Sequence, residues 1–142
     1  MPAYTATRLS MIGLASALVL GCTTVTPDSE LRPAAHVLAP DLLRADPAAA
    51  LVVIKRDQSS LSGIGCKHRI DLDARPVVWL SVGQGVSLYV TPGPHVLSVS
   101  TPDFPCPGAV IEAGFEARAG QRMAFRVGQP TGGDIMLMPT AF

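Results

Sequence analysis

The 142-residue chain predicts an all-β domain, a small antiparallel β-sandwich of about seven strands. Three observations carry that prediction. Between Leu51 and Met138, apolar and polar residues alternate with period two in short runs, the pattern of strands that turn successive side chains to opposite faces. Gly- and Pro-bearing turn signals separate these runs at close intervals, as in sandwiches and barrels. The charged fraction is 15% against 48% hydrophobic, Val, Gly, Pro and Thr are abundant, and no long charged amphipathic stretch offers a helix face.

The first element precedes the sandwich. Met11 to Leu20 is an apolar run of ten residues. It is too short to cross a bilayer, which takes roughly 20 residues, and it has the length of a signal-peptide core, roughly 7–15 residues. Arg8 and the amino terminus supply its positive flank. Val19-Leu20-Gly21-Cys22 resembles the lipobox of bacterial lipoproteins, with a small residue at Gly21 and the acceptor cysteine at Cys22. The resemblance implies that residues 1–21 are a removed signal peptide and that Cys22 becomes the acylated first residue. Each buried acyl methylene contributes about 0.8 kcal/mol and a single chain binds marginally; the two or three chains of a lipoprotein hold firmly. Thr23 follows where Asp would favour the inner membrane, which points to the outer membrane, facing the periplasm. Residues 22–40, polar and broken by Pro27 and Pro33, read as a flexible linker with His36 in solvent. The sandwich domain is then 41–142.

Within it, Pro40 to Arg44 reads as one helical turn, halted by Pro47. Leu51 to Arg56 is a strand ending in charge. Cys66 to Asp73 alternates, with Cys66, His68, Ile70 and Leu72 on one face and Lys67, Arg69, Asp71 and Asp73 on the other. Val78, Leu80 and Val82 lead through Gly83-Gln84-Gly85 to Val86, Leu88 and Val90. A three-residue hairpin with Gly85 left-handed sets Val82 opposite Val86 and Trp79 opposite Tyr89. Pro92-Gly93 suits a type II turn that either returns the chain as a third meander strand, His95 to Ser100, or carries it to a second sheet. Thr101 to Gly108 is a proline-rich loop. Ile111 to Ala117 and Met123 to Val127 alternate around Arg118-Ala119-Gly120, which as a hairpin pairs Glu116 with Arg122 and Glu112 with Arg126. Ile135 to Met138 is a last strand, stopped by Pro139.

Val77 to Ser100, with its Thr-Pro-Gly-Pro-His turn followed by an alternating strand, resembles PEGA-like domains and the similar sandwiches of uncharacterised bacterial lipoproteins. The Ala-Gly-Gln turn between Phe115 and Phe125 is part of the same likeness. The resemblance covers about half of the mature chain and departs from the usual pattern at Gly83-Gln84-Gly85, where an aspartate-glycine turn is customary. It implies a sandwich in an envelope setting and no catalytic residues.

With Cys22 committed to lipid, Cys66 and Cys106 remain. In an oxidising periplasm an isolated pair is most simply a disulfide, and its loop of about 40 residues corresponds to about 4 kcal/mol in the chain-entropy model. Two free thiols are the alternative; no CxxC supports redox chemistry. Acidic and basic residues balance at 11 each, which leaves no field for nucleic acid. Cys66 and His68 point away from Asp71 and Asp73, so they do not complete the four ligands of a structural zinc site. His95 has no nucleophile-elbow context, and the glycines form no phosphate-binding pattern. No catalytic residue, metal or cofactor is therefore expected. Trp79, Tyr89 and Val96 form the candidate partner surface, unless the first strand or the linker covers them. The expected function is a membrane-anchored envelope lipoprotein serving as a non-catalytic binding or assembly module for an envelope protein. The alternative is an inhibitor of a periplasmic hydrolase such as lysozyme, with Pro102 to Gly108 as the inserting loop.

Overall fold

The structure, a computed structural model, describes residues 27–58, 65–102, 106, 109–129 and 134–141. It is all-β, with two sheets of five strands. In chain order these are β1 (Arg32–Pro33), β2 (His36–Val37), β3 (Ala50–Arg56), β4 (His68–Leu72), β5 (Arg75–Leu80), β6 (Gln84–Val90), β7 (Gly93–Ser100), β8 (Val110–Ala117), β9 (Arg122–Gly128) and β10 (Met136–Thr140). The first sheet has the order β1-β6-β3-β9-β10 and the second β2-β5-β4-β7-β8. Val52, Ile54 and Leu88 of the first belong to one buried core with Ile70, Val78, Leu80, Leu97 and Val99 of the second.

The run Leu51-Val52-Val53-Ile54 becomes β3, the central strand of the first sheet. It pairs antiparallel with β6 and parallel with β9. With β1 also parallel to β6, this sheet is mixed rather than purely antiparallel. The charged end of β3 is buried rather than exposed. Lys55 Nζ donates to Asp28 Oδ1 at 2.8 Å. Arg56, on the inward face with Val52 and Ile54, donates to the carbonyls of Leu80 in the second sheet (3.0 Å) and of Cys66 in the approach to β4. Desolvation lowers the Arg56 pKa to about 10, so its guanidinium stays charged and spans the end of the sandwich.

Three expected hairpins are instead crossings between sheets. β5 lies in the second sheet, β6 in the first, β7 in the second; β8 lies in the second and β9 in the first. The Val77–Ser100 meander therefore does not form, and Pro92-Gly93 takes the route to the other sheet. Glu116 stands opposite Pro94 and Glu112 opposite Ser98, while Arg122 and Arg126 stand opposite Leu51 and Lys55. The physical reason is general. Both sheets turn apolar faces inward, so an arch over the core joins two apolar faces as well as a hairpin does. Left-handed glycines serve both: Gly83, rather than the expected Gly85, and Gly120 each have φ +69°. The true tight hairpin joins β4 to β5 through Asp73 (φ +51°) and Ala74 (φ +63°), where two positive-φ residues match a type I′ turn.

Two further boundaries move. Pro139 does not stop the last strand but sits within β10, opposite Phe125; β10 is an edge strand, where proline is tolerated. Residues 27–40 of the stretch read as linker are structured. Arg32 N donates to Gly83 O and Ala34 N to Gly85 O, then Leu38 N and Ala39 N donate to Val77 O. Ala39 is fully buried, and a 3-10 turn spans Pro40–Leu43. The segment crosses from the edge of β6 to the edge of β5 and closes that side of the sandwich with Ala34, Val37, Ala39 and Leu42. His36 is exposed but holds a strand position beside Trp79. Residues 22–26 lie outside the described residues.

Candidate binding groove

The sulfurs of Cys66 and Cys106 lie 2.08 Å apart, with Cα atoms 5.8 Å apart, so the pair is a disulfide. It ties the approach to β4 to the β7–β8 connection. Cys22 lies outside the described residues, as does most of the Pro102–Gly108 loop. Among the described residues no three His, Cys, Asp or Glu side chains gather around a metal-sized centre.

Trp79, Tyr89 and Val96 do not share a surface. Trp79 is half-buried on the second sheet between β2 and β4, opposite His36 and Arg69. Val96 is exposed at the far end of the same sheet, beside the Asp73 turn. Tyr89 belongs to the first sheet, opposite Leu51. The arch at Ser81–Gly83 separates what a hairpin would have joined.

The two histidines sit in opposite environments. His95 Nδ1 lies 2.6 Å from Asp73 Oδ2, and its Nε2 lies 2.8 Å from the Thr91 carbonyl. Both partners are acceptors, an arrangement that favours the doubly protonated ring. Partial burial works against that charge, but Asp73 and Thr91 outweigh it and hold the pKa above 6.5. Asp73 is held below 3.8, first by the Val96 N–H and then by His95. His68 is fully buried. Its Nε2 donates to Gln129 Oε1 at 3.3 Å, and its Nδ1 meets no partner. Burial, aided by the Arg56 charge, pushes its pKa down to about 4.

Tyr89 lies in a groove of about 600 Å³ between the outer face of the first sheet and the N-terminal segment. Leu51 and Val53 of β3, with Ser87 and Tyr89 of β6, line its floor; Leu31, Ala34, Val37 and Leu43 line its wall. Leu31 sits close because Gly85 has no side chain: a Cβ there would come within 3.2 Å of the Leu31 methyl and 3.3 Å of the Ile54 carbonyl. Asp28 and Arg122 line one end. Asp28 binds Lys55 through one oxygen and Arg122 through the other, each at 2.8 Å. The Lys55 hydrogen bond is the main reason its pKa falls below 3.8.

The groove also holds an open strand edge. Arg32 and Ala34 bond to the carbonyls of Gly83 and Gly85, so the odd-numbered residues of β6 direct their backbone groups toward β1. By the alternation of antiparallel ladders, Val86, Leu88 and Val90 bond to β3, while Ser87 and Tyr89 face away from it. β1 ends at Pro33, and no backbone among the described residues pairs with this side of Ser87 and Tyr89.

Sequence reasoning found Tyr89 but missed Leu31, Val37 and Leu43, which follow no strand or helix period. Four apolar residues in a row from Leu51 were the available signal that β3 is covered on both faces. No family model matches the chain, and no curated protein or solved structure matches it.

Proposed function

We propose that this chain is a lipid-anchored, non-catalytic binding module of the bacterial envelope, held at the outer membrane through Cys22 and presenting the groove at Tyr89 to an envelope partner. The groove carries the reading. It is concave, mostly apolar, and within the roughly 300–1,000 Å³ of ligand sites. The lipobox-like residues 19–22 and the PEGA-like turn support the envelope setting. The histidines support a non-catalytic role: both ring nitrogens of His95 are engaged, by Asp73 and Thr91, and His68 is sealed in the core. The described residues begin at Pro27, five residues beyond Cys22. Five residues span at most about 18 Å, so an acylated Cys22 would hold Asp28 and the groove close to the bilayer surface.

Intact mass of the chain recovered from membranes tests the anchor. The native chain should carry acyl mass, and Cys22→Ala should lose both that mass and membrane association. A water-soluble native chain without acyl mass would contradict the proposal.

A further inference from the structure

We propose that the groove takes an extended peptide segment of a partner protein, added as a strand to β6 at Ser87 and Tyr89. This rests on the groove being the binding site and names how it binds. Two N–H and two C=O groups of these residues face the groove without a backbone partner among the described residues. An open edge of this kind is a template for another strand, and main-chain hydrogen bonds then supply affinity while alternate side chains supply specificity.

The chain itself uses the same edge two residues earlier. Its N-terminal segment lies parallel to β6 at Gln84 and Gly85 and departs after Ala34. An added strand would continue that line. One set of its side chains would meet Val37 and Leu43 and should be apolar. The other set would lie on the outer-face side, beside Tyr89. The occupant is thus an extended segment with apolar residues at every second position.

Random decapeptides displayed on phage, panned against the full chain in lipid nanodiscs, test this. Enriched peptides should carry apolar residues at every second position. In a synthetic hit, N-methylation of the amides of one parity should weaken binding by about tenfold, and methylation of the other parity by under about twofold. Ser87→Pro removes an N–H that β3 does not use and should weaken binding similarly. If that variant fails to fold, the methylated peptides decide alone. Binding indifferent to methylation parity, or dodecanoate occupying the groove in place of peptide, overturns strand addition while leaving the groove as a site. A dimer joined through β6 also overturns it. No binder of any kind overturns both readings.

Discussion

On the outer face of the second sheet, Arg69 grips Asp71 through two hydrogen bonds of 3.0 Å, and Ser98 donates to Glu112 at 3.0 Å. On the outer face of the first, Leu51 and Val53 stand beside Tyr89, and Lys55 is fully buried against Asp28 of a segment more than 20 residues away. These two pairs of the second sheet come from its own strands, and the disulfide and the tight β4–β5 hairpin lie on this side, while the Asp41 partner of Arg75 and the edge strand β2 come from the N-terminal segment. The first borrows its cover from the N-terminal segment, which reaches only part of it. The uncovered part is the groove. An outer face whose polar groups pair with one another leaves little for a partner to add; one covered only in part leaves apolar surface and an unpaired edge.

The largest effect expected lies in the second sheet. Replacing Cys66 and Cys106 by Ser together should cost about 4 kcal/mol for a closed loop of 40 residues, read as a fall in the urea midpoint. A loss below about 1 kcal/mol would mean that the second sheet does not depend on its staple. The pH dependence comes next. The His68 pKa, lowered from 6.5 to about 4, stabilises the fold above pH 6.5, and that contribution is lost as pH falls towards 4. The shift corresponds to roughly 3 kcal/mol, and His68→Gln should flatten this acid limb in urea titrations at stepped pH. The raised pKa of His95 works the other way. Its contribution is complete below pH 6.5 and is lost as pH rises through the folded-state value, so His95→Gln should flatten only the alkaline limb.

Asp28→Ala sets one sheet against the other. It removes the acceptor of a buried ammonium and should cost about 1–3 kcal/mol, whereas Arg69→Ala, at a partly exposed pair, should cost less than about 1 kcal/mol. Equal losses would erase the contrast between the two outer faces. The smallest effect belongs to the turn: Ala74→Gly relieves a left-handed alanine and should raise stability by about 1 kcal/mol, seen as a higher melting temperature.

The fold class, most strand positions and the disulfide were legible in the sequence because period two, turn residues and cysteine count are local signals. The pairing of strands was not. Val82 and Val86 face the core whether Gly83 turns a hairpin or an arch, and nothing local distinguishes them. The N-terminal segment was illegible for a related reason. Leu31, Ala34 and Val37 are apolar residues in a polar, proline-broken stretch, and their partial burial depends on a side of the sandwich that exists only once β5 and β6 have parted. Tyr89 was legible as an aromatic on a strand, but its surroundings come from three segments distant in sequence. The buried ends of β3 were also hidden: Lys55 and Arg56 look like a solvated terminus until Asp28, Cys66 and Leu80 surround them.

Amide hydrogen exchange along β6 in the full chain tests the open edge most directly. The account predicts fast exchange at Ser87 and Tyr89 and strong protection at the neighbouring Val86 and Leu88, an alternation that follows hydrogen bonding to β3 alone. Uniform protection from Val86 to Val90 in the ligand-free protein would contradict it, because the edge would then already be paired.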